Sequence, residues 1–175
     1  MAVIYERVAL IGLGLIAGSM AHAMRRAKCV TEIVGTARSA ETRAIATEIN
    51  LCDRITETAV EAVKDADLVV LCVPVGAMEA VMADIGPHLK QGATLTDVGS
   101  VKQAVIDIVN PHVPDGVHFI PGHPLAGTEH SGPHSGFATL FDNRWNILVP
   151  LENSDPAKVD QLTQYWEALG ANVET

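Results

Sequence analysis

Aromatic residues are scarce: three Phe, two Tyr and two Trp in 175 residues. With 14 Gly alongside them, the chain points to strands and helices packed through small side chains, and away from an aromatic-rich sandwich. Positive charge is short as well, with 12 Lys+Arg against 21 Asp+Glu and a formal net charge of −9. The cationic field that draws proteins to nucleic-acid phosphates or anionic lipid is missing, which argues against both partners. No apolar run approaches the roughly 20 residues of a membrane-spanning helix. The uncharged stretch 8–18 is interrupted by Gly12, Gly14 and Gly18 and lacks the basic lead and small-residue cleavage site of a secretory signal. The cysteines, Cys29, Cys52 and Cys72, are odd in number, form no C-x-x-C pair and sit in apolar stretches. That pattern predicts reduced thiols and a cytoplasmic protein. What the chain does have is hydrophobic content, 48%, enough to bury a sizeable core in one domain.

Short β-branched runs bounded by Gly, Asp or Pro alternate with longer Ala-rich stretches whose apolar residues recur three or four apart. The pattern predicts strands over 7–11, 32–36, 68–73, 93–97, 118–121 and 145–150, with a weaker one near Arg54. Helices are predicted over 15–27, 40–49, 58–64, 77–89, 101–109 and 156–169. Thr58 with Glu61 and Ser100 with Gln103 have capping-box spacing, and Asp155 before Pro156 reads as an N-cap with proline at the first helical position. Strands such as Leu68-Val69-Val70-Leu71 are apolar on both faces, as a parallel sheet covered by helices on both sides requires. The expected fold is therefore α/β, a doubly wound, mostly parallel sheet with helices on both faces. The segment 122–144, rich in Gly, His, Ser and Pro, is too long for an ordinary connection and reads as a functional loop. The final residues, 170–175, read as the opening of a further strand.

The strongest local signal is Val8-Ala-Leu-Ile-Gly12-Leu-Gly14-Leu-Ile-Ala17-Gly18-Ser19, a strand running through a glycine-rich turn into a helix. In a Rossmann-type fold Gly12 would make the turn, Gly14 would let a pyrophosphate approach the backbone, and Ala17 would allow close helix packing, with the phosphates at the helix N-terminus. The bland alternative is a tight strand-to-helix turn with no ligand. Leu15 and Ile16 at the helix start, Val73 and Pro74 at the end of the apolar strand 68–73, and Gly99 complete the expected cofactor-binding backbone. At the end of the second strand, Thr36-Ala37-Arg38-Ser39, no Asp or Glu is present to hold an adenosine ribose 2′-hydroxyl. Thr36, Arg38 and Ser39 offer a cation and two hydroxyls to a 2′-phosphate instead, so NADP is favoured over NAD. Ser39 also reads as the N-cap of the next helix.

Two later clusters also follow strand ends, where open α/β sheets bind ligands. In Asp97-Val-Gly99-Ser100-Val-Lys102, Ser100 is either a helix N-cap or a hydroxyl facing nicotinamide and substrate. In Gly122-His123-Pro124-Leu-Ala-Gly-Thr128-Glu129, Pro124 biases His123 toward an extended backbone. A histidine there is either structural or a base working near neutral pH. His118, His123, His130 and His134 lack metal-ligand spacing, so no metal is expected. Hydrolase elbow and Walker motifs are missing from the sequence.

Taken together, the three ordered motifs beginning at Gly12, Asp97 and Gly122 resemble those of the prephenate/arogenate (cyclohexadienyl) dehydrogenase family of tyrosine biosynthesis. The resemblance implies that residues 1–175 form the family's N-terminal cofactor domain, with 122–144 as a catalytic loop. It implies that His123 accepts the ring hydroxyl proton as hydride leaves for the nicotinamide, that Ser100 bonds the histidine, substrate hydroxyl or nicotinamide, and that Thr128 and Glu129 line the substrate side. The implied small-molecule substrate is prephenate or arogenate, with tyrosine as product or inhibitor. In the family an all-helical domain follows, forms the homodimer and supplies basic residues for the substrate carboxylates; this chain ends before it. Two alternatives stay open: a different nicotinamide-dependent hydroxyacid dehydrogenase, and a non-catalytic NADP(H)-binding module or half-enzyme.

Overall fold

The computed structural model of the protein describes residues 2–175. Its centre is a six-stranded, wholly parallel sheet in the order β3-β2-β1-β4-β5-β6. These strands are β1 (Tyr5–Ile11), β2 (Val30–Thr36), β3 (Arg54–Thr56), β4 (Leu68–Leu71), β5 (Thr94–Asp97) and β6 (His118–Phe119). The crossovers are α1 (Leu15–Ala27), α2 (Ala40–Glu48), α3 (Ala59–Val63), α4 (Val75–Ile85) and α5 (Lys102–Val109). This is the doubly wound α/β architecture the alternating pattern predicts.

The two sides of the sheet carry separate cores. Val8 and Leu10 of β1, with Leu68 and Val70 of β4, pack in one cluster with Met20 and Met24 of α1. The intervening residues Ala9, Ile11, Val69 and Leu71 pack in a second cluster with Met78 and Met82 of α4 and Val105 of α5. Each buried Val, Leu, Ile or Met side chain among them contributes about 1.5–3 kcal/mol of transfer free energy. The few aromatics are concentrated. Tyr5, Tyr165, Trp166 and Phe141 form an edge-to-face chain with centroid separations of 5.6, 5.9 and 5.2 Å. The chain fastens α6 (Pro156–Ala168) beside β1 and α1.

Several expected boundaries move. The helix expected over 77–89 starts earlier, at Val75, and ends as a 3-10 turn over Gly86–His88, where Pro87 interrupts the helical bonding. Thr58 does cap α3, accepting from the Glu61 N–H at 3.2 Å and donating to its carboxylate at 2.9 Å. Asp155 caps α6 through the Ala157 N–H at 2.9 Å. The Ser100 capping box does not form: α5 begins at Lys102 after an uncapped Val101, and the Gln103 side chain donates instead to Asp107 at 2.8 Å.

The largest departure lies beyond β6. Pro121 has no N–H with which to continue the ladder, and the chain turns into a second sheet of order β7-β8-β9. There β7 (Gly122–Pro124) pairs antiparallel with β8 (Trp145–Leu148), which pairs parallel with β9 (Asn172–Glu174). The strand expected over 145–150 therefore lies outside the main sheet. The expected loop 122–144 opens as a strand, and the closing segment does form one.

Candidate active site

Strand order reverses at β1: β2 and β3 lie to one side, β4 to β6 to the other. The carboxyl ends of β1 and β4 thus flank the crevice where open sheets take ligands. Gly12 leaves β1 with φ +100°, and a Cβ there would lie 2.9 Å from the Cys72 carbonyl carbon and oxygen and 3.1 Å from a Val73 methyl. Glycine is required both for conformation and for space. Gly14, by contrast, faces open space within 4 Å. It is the N-cap of α1 and leaves the first turn with no side-chain cap and no acid. The amide groups from Leu15 onward therefore present uncompensated positive partial charge to that opening, a fit for an anion. Pro74 is the N-cap of α4 across the crevice, again without a side-chain cap.

At the end of β2 the three expected phosphate contacts separate. Thr36 is buried and its hydroxyl donates to the Thr56 carbonyl at 2.8 Å, so it faces β3 and has no proton left to offer a phosphate. Ser39 caps α2, accepting from Thr42 N–H at 3.0 Å. Arg38 is exposed, and among the described residues its guanidinium has no partner. Arg43, unremarkable as a letter in the sequence, reaches back to the carbonyls of Ala37 and Arg38 at 2.8 and 2.9 Å and fixes the backbone from which Arg38 projects.

At the end of β5, Asp97 is fully buried. One carboxylate oxygen accepts from Gly122 N–H at 3.1 Å; the other accepts from Gly99 N–H at 2.8 Å and from the Lys102 ammonium. Lys102 also donates to the Gly122 carbonyl at 2.6 Å. Burial pushes the Lys102 ammonium below its ordinary pKa, with the Asp97 charge opposing that fall. The Ser100 segment and the His123 strand are thereby tied to one carboxylate. Ser100 itself is exposed, and His123, half-buried between buried Gly122 and Pro124, stands opposite Ile147 in the β7–β8 ladder. Sequence reasoning singles out Ser100 in this motif and passes over Asp97 and Lys102. Their signal is a carboxylate ending an apolar strand with a lysine five residues on.

Thr128 and Glu129 lie on an exposed turn in which Thr128 accepts from His130 N–H at 3.1 Å and Glu129 approaches the His130 ring at 3.6 Å. Among the described residues no group of three His, Cys, Asp or Glu is placed to hold a metal ion. No helix among them is long and apolar enough to cross a membrane.

Residues 20–175 match the family described as "Prephenate dehydrogenase, nucleotide-binding domain". The chain belongs to the prephenate dehydrogenase family. Among relatives in that family, it is 40% identical over 171 residues to the cyclohexadienyl dehydrogenase of Zymomonas mobilis, covering 97% of this chain and 58% of the relative. Its fold superposes with TM-score 0.82 on the arogenate dehydrogenase of Synechocystis, at 28% identity over 96% of this chain and 58% of the other. It superposes equally, TM-score 0.82 and 28% identity, on a prephenate dehydrogenase from Aquifex aeolicus in complex with hydroxyphenyl propionate and NAD+, covering 97% and 59% of the two chains. The chain thus spans little more than half the length of these relatives.

Proposed function

We propose that this chain is the cofactor domain of an NADP-using dehydrogenase that oxidatively decarboxylates prephenate or arogenate, giving 4-hydroxyphenylpyruvate or tyrosine. The observation that carries the reading is the shared tether. The amides of Gly99 and Gly122, which directly precede Ser100 and His123 in segments more than twenty residues apart, bond the same buried Asp97 at the carboxyl edge of the sheet. The crevice at Gly12 and Gly14 fits a dinucleotide pyrophosphate, since one glycine has no room for a Cβ and the other leaves the helix start open. When bound there, the nicotinamide ring supplies the hydride acceptor.

The chain's own contribution is small and specific. The His123 imidazole takes the proton of the ring hydroxyl as that carbon becomes a carbonyl. The exposed Ser100 hydroxyl hydrogen-bonds the same oxygen or the imidazole and limits their approach to one orientation. Loss of carbon dioxide from the ring carboxylate sends its electron pair into the ring, which becomes aromatic, and protonated His123 returns its proton to the resulting phenolate oxygen. No net proton is released, and no metal is needed to balance the step. Thr128 and Glu129 are assigned to the substrate side. Residues 1–175 act as one dinucleotide-binding unit. Groups for the substrate carboxylates, and a homodimer contact, are assigned to the part of the relatives' length that this chain does not span.

NADP preference rests on the exposed Arg38 and the missing acid at the end of β2, with Ser39 engaged in capping. The decisive experiment follows NADPH formation from prephenate and from arogenate, beside NADP affinity, for the wild type and His123→Asn. We expect the variant to lose at least about a hundredfold in turnover with affinity held within about twofold. Wild-type turnover in His123→Asn would remove the base assignment. Cofactor binding without any turnover by the wild type would favour a binding module or half-enzyme, a reading motivated by the 58% coverage of the Zymomonas relative.

A further inference from the structure

Gly122 is gripped at both ends. Its N–H donates to Asp97 at 3.1 Å and its carbonyl accepts from Lys102 at 2.6 Å. The Gly122 carbonyl belongs to the peptide plane that enters His123, so the ammonium sets the tilt of that plane and with it the direction in which the His123 Cα–Cβ bond leaves the strand. Close approach is built in, because a Cβ on Gly122 would lie 3.0 Å from the Asp97 carbonyl oxygen and 3.2 Å from the Thr96 hydroxyl. On its other side β7 is held by the ladder to β8, with His123 in register with Ile147. The strand therefore has a backbone support on one edge and an ion pair on the other.

The ion pair itself is a costly choice for stability alone. Asp97 is fully buried and the Lys102 side chain is 15% exposed. Buried pairs of this kind are often replaced by apolar residues with no loss of stability. Both carboxylate oxygens and the ammonium are spent on Gly99 and Gly122, the backbone positions beside Ser100 and His123.

We propose that Asp97 and Lys102 are positioning residues that orient the His123 imidazole, and with it Ser100, by clamping the Gly122 and Gly99 peptides. The proposal rests on the reading of His123 as the base, but its test does not depend on turnover alone. In the full chain, Lys102→Met, Lys102→Arg and the neutral pair Asp97→Asn/Lys102→Met are compared with the wild type. Three quantities are followed: kcat against KM, NADP affinity, and the ring-nitrogen NMR signals of His123, assigned with His123→Asn.

Lys102→Met and the double variant should displace the His123 signals and lower kcat by roughly ten- to a hundredfold, as a misplacement of about 1 Å does. NADP affinity should stay within about twofold, and Lys102→Arg should recover most of the kcat and the signals. Unchanged His123 signals in a folded Lys102→Met or double variant would overturn the clamp, as would equal losses of kcat and NADP affinity without rescue by Arg. If His123→Asn keeps wild-type turnover, the base reading fails while the signals still decide whether the pair orients the ring. If Lys102→Met does not fold, the double variant, with no charge left unpaired, tests the clamp through the same signals and rates.

Discussion

Gly136 rests on Gly18 so closely that a Cβ on Gly136 would come within 2.6 Å of the Gly18 carbonyl carbon and 2.7 Å of the Ser19 nitrogen. The contact seats the 3-10 turn Pro133–Ser135 on α1, and the Ser19 hydroxyl secures it by accepting from Phe137 N–H at 3.1 Å. Backbone meets backbone here, so neither partner can move aside as a flexible side chain would. Gly136→Ala should lower stability by about 1–3 kcal/mol. Denaturant unfolding measures this directly, and a midpoint equal to the wild type would show that the loop is not seated as described.

Arg38 offers the only unengaged one of the three groups expected to meet a 2′-phosphate, since Thr36 faces Thr56 and Ser39 caps α2. Arg38→Asp should weaken NADP by roughly tenfold or more while leaving NAD affinity nearly unchanged, because a planar guanidinium contact is replaced by like-charge repulsion. Thr36→Val should leave discrimination between the two cofactors unaltered. A preserved ratio of NADP to NAD affinity in Arg38→Asp would rule out phosphate reading at this position.

Ser100 provides a separation of structural from chemical roles. Loss of a true N-cap costs about 1 kcal/mol, but Ser100 does not cap α5. Ser100→Ala should therefore change stability by less than about 0.5 kcal/mol and still depress turnover. A full capping loss in the unfolding free energy would mean that the hydroxyl does serve the helix.

Alkaline stability follows from buried acids. Burial pushes the Cys52 thiol from 9.0 up to about 12, and burial likewise raises Cys72 and Tyr165. Each group keeps its proton to higher pH in the fold than in the unfolded chain. The resulting stability is fully present below about pH 9 and is lost as pH rises toward 12. Urea unfolding at neutral pH and at about pH 10.5 should give a clear fall, and Cys52→Ala should flatten its slope. A profile level to the alkaline side in the wild type would contradict the burial of these groups.

Much of the architecture was legible because a parallel sheet writes itself locally. The run Leu68-Val69-Val70-Leu71 must be apolar on both faces, and the turn out of β1 at φ +100° calls for glycine at position 12. Those constraints act within a few residues or one crossover. Strands were legible at Trp145–Leu148 and Asn172–Glu174, but their pairing into a β7-β8-β9 sheet was not, since Gly122–Pro124 is short and reads as loop and the three strands pair across long separations. Ser100 misled for a related reason. Its spacing to Gln103 matches a capping box, yet α5 begins only at Lys102, whose side chain reaches to Asp97 and Gly122.

By itself the sequence determined the alternation of main-sheet strands and crossover helices, the glycine turn into α1 and the missing acid after β2, because local propensity and periodicity decide such features. Only the tertiary structure decided that Asp97 is buried, that Lys102 closes on Gly122, and that Thr36 turns toward β3 while Arg38 projects into solvent. Burial and hydrogen-bond partnership arise between segments distant in the chain, and a carboxylate has the same letter in water as in a core.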